Sequence, residues 1–215
     1  ASIGGKNGID VGVYKNMVGV IRQPAFILHD MSFLQTLPDA EWENGFAEII
    51  KHACIRDAAM FGELENFSLA KYKRSKTAIA DLVKRNAAIK ARVVKADPYE
   101  KNQRRLLNFG HTLGHALENQ YELSHGQAVS IGMTYAAYLS EQLTGFRAAD
   151  RVQQLIEHYG LPSFARFDRE KVCRVLKMDK KRERAEMNFI LLNRIGQGVI
   201  RPIPMAELEA FIRSL

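Results

Sequence analysis

Two histidines, His111 and His115, stand four residues apart in a segment that is rich in small residues. On a helix, this spacing places both imidazoles on one face. A third histidine, His125, follows ten residues later, and Glu48 lies far upstream in an apolar pattern of helical period. Three imidazoles and a carboxylate could converge on a divalent metal with one coordination position left open, as in catalytic rather than structural zinc sites.

The pattern by itself leaves two interpretations open, a metal site and ordinary helix packing. A lone helical histidine is more often a hydrogen-bonded core or surface residue than a ligand. The zinc protease signature has Glu directly after its first histidine, and Thr112 holds that position here, which disfavours a metalloprotease. Gly110 and Gly114 would allow another backbone, a metal or a ligand to come close.

Composition indicates a globular protein with a real core, because 47% of the 215 residues are hydrophobic and 26% are charged. No apolar run is long enough for a transmembrane helix, and no signal peptide opens the chain. The chain does not begin with Met, which favours a fragment or a processed product. Cys54 and Cys173 lie far apart in apolar helical patterns, so we expect reduced thiols, a cytoplasmic location and no membrane partner.

The net charge of +7 favours either a nucleic acid or an acidic small molecule as the partner. No zinc finger, basic arm or RNA-binding pattern is present, so we expect an anionic substrate and no nucleic acid. The glycine-rich start, with Gly4, Gly5 and Lys6, suits phosphate contacts. It is not a complete P-loop, and a plain surface loop is the alternative interpretation.

Hydrophobic periodicity predicts a mainly helical single domain with one small β-hairpin and no linker that would divide it. The hairpin pairs residues 187–192 with 199–201, and residues 24–30 are predicted to form a short buried strand. Helices are predicted at residues 38–54, 57–66, 77–94, 127–143, 148–159, 168–178 and 205–215, and the histidine segment is read as a further helix.

Two lysines lie on apolar helix faces and could act in a site. Glu48 and Lys51 are i, i+3 neighbours. The alternative is a surface ion pair, which would contribute little to stability, but the apolar surroundings favour a partly buried functional pair. Lys90 lies on a mostly apolar face, where the alternative is a side chain that extends to water.

Several segments together resemble one family, the 3-dehydroquinate synthases of the shikimate pathway, which make aromatic amino acid precursors. The matching segments run in family order through residues 2–6, 15–16, 34–38, 45–51, 89–90, 106–115, 125–126 and 179–181. The resemblance implies a two-domain enzyme with a Rossmann-like NAD-binding domain followed by a helical, metal-binding domain. Residues 1–215 would be the C-terminal helical metal- and substrate-binding domain, and the N-terminal domain would be absent.

The resemblance also implies roles for particular residues. Glu48, His111 and His125 would be the metal ligands, with zinc as the usual metal and cobalt as an alternative, while His115 would handle protons. His52 rivals them by spacing but has no family role. Substrate contacts would be Lys51, Lys90, Arg104, Asn108, Asn16 and Lys181, the last favoured over Lys180. The NAD contacts from this half would be Lys6, Lys15, Phe33, Leu34, Gln35 and Thr36. Tyr14 and Gln127 replace a common Gly and a common Glu of the family.

The activity implied by the resemblance converts 3-deoxy-D-arabino-heptulosonate 7-phosphate to 3-dehydroquinate and phosphate. NAD would be reduced and then regenerated within one cycle. The family is commonly dimeric, so a homodimer is expected of the full-length enzyme. We expect this chain to be inactive without the nucleotide-binding domain. A related sugar-phosphate cyclase and a non-catalytic isolated domain are the alternatives, although Asn108 favours the dehydroquinate synthase over a cyclase group that carries an acid there.

Overall fold

The computed structural model describes residues 2–11, 14–118, 121–179 and 186–215, with side chains at all of these except 10, 11, 14–17, 178 and 179. The helices are α1 (Asp39–Arg56), α2 (Ala58–Asn66), α3 (Leu69–Arg74), α4 (Lys76–Ala96), α5 (His111–Glu118), α6 (His125–Thr144), α7 (Ala149–His158), α8 (Arg169–Asp179) and α9 (Met205–Ser214). The strands are β1 (Lys6–Val11), β2 (Tyr14–Ile21), β3 (Glu186–Arg194) and β4 (Gln197–Pro204). Two 3-10 helices span Met31–Thr36 and Gln103–Asn108.

The mainly helical architecture and the β3–β4 hairpin confirm the fold class predicted from the sequence. The chain forms two compact units, a division that the sequence, which shows no linker, did not predict. One unit contains Ala1–Pro38 and Leu69–Arg105, and the other contains Asp39–Ser68 and Leu106–Leu215.

The first unit begins with an antiparallel hairpin of β1 and β2, which was not predicted. Gly8 lies opposite Gly19 in the ladder, and a Cβ on Gly19 would collide with the backbone of Asn7. Glycine is depleted in strands because it adds no side chain to pack. Glycine therefore weakens the strand pattern in the sequence. The close pairing of the two backbones nevertheless requires glycine at position 19.

The prediction of a buried strand at residues 24–30 is wrong. The segment has no strand conformation, and Phe26 and Leu28 are each 82% exposed. A strand needs a neighbouring strand to accept and donate its backbone hydrogen bonds. Neither of the two described hairpins includes this segment, so its apolar run has no ladder to join.

The long helix of the first unit, α4, matches the predicted helix closely. Ser75 is its N-cap and accepts a hydrogen bond from the amide of Ala78, which separates α3 from α4 within the basic segment 71–76. The buried residues repeat at helical spacing and are Ile79, Leu82, Ile89, Val93 and Val94.

Helix α6 is the central element of the second unit and packs against α1, α5, α7 and β3. It is buried almost all round from Gly126 to Ser140, as expected for a helix that other elements enclose. A capping box of Ser124 and Gln127 fixes its start. The Ser140 hydroxyl joins it to β3 by accepting a hydrogen bond from the amide of Leu192 at 2.9 Å.

Two glycines allow the helices that carry the candidate site to approach closely. A Cβ on Gly114 of α5 would lie 2.9 Å from the carbonyl oxygen of Ala128 in α6. A Cβ on Gly126 of α6 would lie 2.6 Å from Cα of Asn44 in α1. The sequence left open whether a backbone, a metal or a ligand lies close to Gly114. The structure places the backbone of α6 there.

Both cysteines, Cys54 and Cys173, are buried free thiols, as the sequence predicts. Burial raises the pKa of each thiol, so both stay protonated at neutral pH. Across the described ranges, every helix is too short or too polar to span a lipid bilayer.

We expect Gly114→Ala to destabilise the fold by about 1–3 kcal/mol, because the added methyl group overlaps the backbone of α6. Gly62→Ala in α2 is the matched control, because a Cβ there meets nothing within 4 Å. That change should stabilise the protein by about 0.5–1 kcal/mol through lower backbone entropy in the unfolded chain. Urea unfolding followed by circular dichroism measures both values, and equal effects would contradict the close packing.

Candidate metal centre

The second unit brings together four of the residues that the sequence singled out. Helix α1 carries Glu48, α5 carries His111 and His115, and His125 is the first residue of α6. Oε1 of Glu48 lies 3.3 Å from Nε2 of His111 and 3.6 Å from Nε2 of His125. One ligand atom from each of Glu48, His111 and His125 lies within 4.8 Å of the others, a spacing that could hold a metal ion.

Lys51 controls the charge of Glu48. Its ammonium lies 2.6 Å from Oε2 of Glu48, and the Lys51 side chain is only 3% exposed. Burial alone would raise the pKa of Glu48, but the charge of Lys51 and the neighbouring rings of His111 and His125 outweigh it and hold that pKa well below its usual value. Glu48 is therefore a carboxylate that binds Lys51 through one oxygen and faces two imidazoles with the other.

His111 is held in the protonation state that a metal ligand needs. Its Nδ1 lies 3.1 Å from the carbonyl oxygen of Phe109, which places a proton on Nδ1 and leaves the Nε2 lone pair facing Glu48. Burial and the nearby charge of Lys51 lower the pKa of His111 to about 4, against the opposing effect of Glu48. The imidazole is thus neutral at pH 7, the form that binds metals.

His125 has a different environment, because its side chain is 48% exposed and lies between two carboxylates. The nearby carboxylate of Glu48 raises its pKa above the usual value, and Glu118 adds to that effect while burial opposes it. A metal ion would therefore meet more competition from protons at His125 than at His111.

Glu118 was not singled out from the sequence. Its Oε2 lies 3.4 Å from Nδ1 of His125, on the side of the ring away from Glu48. His111, His115 and Glu118 stand at i, i+4 and i+7 of α5 and so share one helix face. That periodicity is the sequence signal that could have found Glu118.

The donor atoms of Glu48, His111 and His125 are of the kinds that bind a divalent metal ion. A carboxylate and two imidazoles, with room for water or substrate oxygens, match the preferences of catalytic zinc. His115 lies beside this group, with its ring centroid 5.3 Å from that of His111. His52, the rival by spacing, is buried in α1 and belongs to neither of the two groups of potential ligands found among the described residues.

Most of the predicted binding residues belong to the first unit, among them Arg104, Lys6 and Lys90. Arg104, predicted to contact substrate, is 3% exposed and donates to the carbonyl oxygens of Gly4 at 2.9 Å and Pro98 at 2.5 Å. Lys6 forms an ion pair with Glu100. Lys90 is half-buried on α4.

Asp97 anchors the loop that carries Arg104. Its carboxylate accepts hydrogen bonds from the amides of Lys101, Asn102 and Arg104 at 3.0, 2.6 and 3.1 Å. Burial on its own would raise the pKa of Asp97, but these three amides and the Arg104 charge lower it below its usual value.

The remaining predicted residues lie in the two 3-10 helices or have side chains outside the described part of the chain. Phe33, Leu34, Gln35 and Thr36 lie in the 3-10 helix Met31–Thr36, where Phe33 is 77% exposed. Asn108 ends the 3-10 helix Gln103–Asn108 and is half-buried. Lys181 and the side chains of Lys15 and Asn16 lie outside the described residues, so their roles stay predictions, as do the ligand and substrate roles of the other site residues.

Solved structures share this fold. The chain superposes on 2-epi-5-epi-valiolone synthase from Streptomyces hygroscopicus subsp. jinggangensis 5008, solved with NAD+ and Zn2+, with a TM-score of 0.88, 27% identity and coverage of 99% of this chain and 61% of that one. A 2-deoxy-scyllo-inosose synthase, solved with carbaglucose-6-phosphate, NAD+ and Co2+, gives a TM-score of 0.84 at 23% identity, over 98% of this chain and 61% of that one, and supports the fold alone. The fold is that of the helical C-terminal domain of sugar-phosphate cyclases.

Sequence comparison identifies the family. Residues 45–182 match the model for the 3-dehydroquinate synthase C-terminal region, and residues 1–44 match the model for the N-terminal region. A 3-dehydroquinate synthase from Dehalococcoides mccartyi (strain CBDB1) is 42% identical over 219 residues, 97% of this chain and 61% of the relative. One from Halalkalibacterium halodurans is 37% identical over 224 residues, 100% of this chain and 60% of the relative. The chain belongs to the 3-dehydroquinate synthase family, and it spans about three fifths of the length of these relatives.

We expect His125→Ala to weaken Zn2+ binding at least about 100-fold, because losing even a residue that only orients a ligand costs about 10–100-fold. The half-exposed ring contributes little to the core, so the circular dichroism spectrum should not change. His29→Ala, which removes an exposed histidine of the first unit, is the control and should bind zinc as the wild type does. Competition with a chromophoric chelator measures the affinities, and an unchanged value for His125→Ala would rule out this ligand.

Asp97→Asn should make stability less dependent on pH. Because the pKa of Asp97 is lowered in the folded state, its contribution is present above the unfolded-state pKa and is lost as pH falls through the folded-state pKa. Urea unfolding between about pH 6 and pH 2.5 should therefore show a gap between wild type and variant that closes at the acid end. Asp81→Asn, at an exposed position of α4, is the control and should show no such gap.

Proposed function

We propose that this chain is the metal- and substrate-binding part of a 3-dehydroquinate synthase, which converts 3-deoxy-D-arabino-heptulosonate 7-phosphate to 3-dehydroquinate and phosphate. The observation that carries the proposal is the Glu48 carboxylate, held between Lys51 and the Nε2 atoms of His111 and His125, in a chain of this family. The enzyme would be a carbon–oxygen lyase of the shikimate pathway, acting in the cytoplasm as a homodimer.

Glu48, His111 and His125 would hold zinc, with cobalt as the alternative; the ion polarises hydroxyl and carbonyl oxygens of the substrate when bound. Zn2+ in the valiolone synthase, which is 27% identical, supports this choice. NAD, which the valiolone synthase contains, would be the second cofactor and would supply reversible hydride transfer. Lys6, Lys15 and the segment 33–36 would supply the contacts to NAD from this part of the enzyme.

The substrate carries a carboxylate and a phosphate, so cations must offset its charge. Lys51 has three donors, of which one is used by Glu48, so the same ammonium could also reach a substrate oxygen beside Glu48. The further substrate contacts that we propose are Lys90, Arg104, Asn108, Asn16 and Lys181. They account for part of the positive charge of the chain.

His115 would transfer protons to and from the substrate. It shares a helix face with His111, and its ring lies 5.3 Å from that ring and 6.2 Å from the ring of His125. A side chain fixed on a helix at this distance can reach a group bound beside the ligands without being a ligand itself. The four histidine and glutamate side chains thus divide into three that would hold the ion and one that would move protons.

A second candidate is another sugar-phosphate cyclase, because the valiolone synthase shares the fold over almost the whole chain. The relatives at 37–42% identity are 3-dehydroquinate synthases, whereas the cyclases of other names are 22–27% identical. Identity therefore favours the dehydroquinate synthase. A purely structural role for the isolated chain is a third interpretation, because the chain spans only part of its relatives.

A chimera tests the proposal directly. The chain, joined to the N-terminal portion of the Dehalococcoides mccartyi relative that it does not span, should release phosphate and form 3-dehydroquinate from the heptulosonate phosphate with NAD and zinc, whereas the chain alone should not. His115→Gln in the chimera should lower kcat by about 100- to 10,000-fold without changing zinc affinity. Mass spectrometry of the product and a phosphate assay measure turnover.

Three outcomes would contradict these assignments. A folded, zinc-binding chimera that cyclises another sugar phosphate but not the heptulosonate phosphate would indicate the other cyclase. Phosphate release by the chain alone would contradict the expectation that it is inactive. Weaker zinc binding by His115→Gln would make His115 a ligand rather than a proton carrier.

A further inference from the structure

The two ring nitrogens of His125 face two different carboxylates. Nε2 lies 3.6 Å from Oε1 of Glu48, and Nδ1 lies 3.4 Å from Oε2 of Glu118. Glu118 is the last residue of α5, His125 is the first residue of α6, and the Glu118 side chain is only 15% exposed. The pair therefore connects the ends of the two helices that carry the histidines.

A histidine ligand must keep one nitrogen free of hydrogen. A neutral imidazole carries a single N–H, and a hydrogen-bond acceptor beside one nitrogen fixes the proton there. For His111 the acceptor is the carbonyl oxygen of Phe109, which the backbone supplies. For His125 the acceptor in the corresponding position is the carboxylate of Glu118, which a side chain supplies.

The need for such an acceptor is greater at His125 than at His111. The His111 side chain is 13% exposed and is confined by its surroundings, whereas that of His125 is 48% exposed. A half-exposed ring at the first position of a helix has fewer contacts to select its orientation. Glu118 supplies both an orientation and a negative charge that makes the ring a stronger donor to a metal.

We propose that Glu118 is a positioning residue of the metal centre, which holds the proton of His125 on Nδ1 and so directs the Nε2 lone pair to the ion. The proposal rests on the metal site of the proposed function. It does not require Glu118 to touch the ion or the substrate.

The main competing interpretation makes Glu118 a ligand, because His115, Glu118 and His125 also offer atoms within 4.8 Å of one another. A second ion there, beside an ion at Glu48, would need His125 to bridge the two through both nitrogens and lose both ring protons. The hydrogen bond from Nδ1 to Glu118 needs only the ordinary neutral ring. The two interpretations differ in the number of ions bound per chain.

The test compares Glu118→Ala, Glu118→Gln and the control Glu122→Gln in the 215-residue chain. Glu122 is an exposed carboxylate of the neighbouring loop, so its variant matches the loss of charge without touching His125. Zn2+ affinity and stoichiometry are measured by competition with a chromophoric chelator at one fixed pH. The visible absorption of the Co2+ form reports the ligand geometry, and thermal unfolding of the metal-free protein reports the fold.

We expect one ion per chain in the wild type and a loss of zinc affinity of about 10–100-fold in Glu118→Ala. Glu118→Gln should lose less, since its amide oxygen can still accept the Nδ1 hydrogen but carries no charge. The Co2+ spectrum should change in Glu118→Ala and not in Glu122→Gln. These losses should appear at unchanged thermal stability of the metal-free Glu118→Gln protein.

Unchanged zinc affinity in both Glu118 variants, with tight binding by the wild type, would overturn the proposal and leave the metal site intact. Two ions in the wild type and one in Glu118→Gln would also overturn it, by making Glu118 a ligand. A wild-type chain that binds no zinc would overturn both this proposal and the metal site on which it rests.

Discussion

The candidate site depends on a carboxylate that stays ionised although it is half-buried. Burial disfavours the charged form of Glu48, and a lone buried carboxyl would take up a proton and lose its value as a ligand. Lys51, one turn along the same helix and 3% exposed, supplies the compensating charge at 2.6 Å. Burial and the same ammonium lower the pKa of His111, so one lysine helps to keep both the carboxylate and the imidazole in their metal-binding forms.

This electrostatic arrangement exists only because three helices meet at short range. Glu48, His111 and His125 are distant in the chain, and their helices approach where Gly114 and Gly126 leave no side chain between the backbones. Helix α6, buried almost all round, fixes the position of its first residue, His125. Backbone packing therefore determines the ligand distances, and the side chains adjust charge and proton positions within that frame.

The sequence predicted the parts of this arrangement that depend on local pattern. The spacing of His111 and His115 and the i, i+3 relation of Glu48 and Lys51 are helical properties, and the helices formed as expected. The apolar run at residues 24–30 and the glycine-containing β1–β2 hairpin were misjudged, because strand formation depends on which partner edge is present. The acceptors on Nδ1 of His111 and His125 arise from tertiary contact or a turn, which periodicity does not report.

The two imidazoles facing Glu48 are not equivalent, and their difference has a chemical consequence. His111 is enclosed and neutral at pH 7, so it would bind an ion without releasing a proton. His125 is half-exposed between two carboxylates that raise its pKa, so an ion must compete with a proton for it. Solvent reaches the cluster on the His125 side, since that ring is the most exposed of the three groups. His111 thus offers a neutral, enclosed ligand, whereas His125 is the ligand at which the ion and a proton compete.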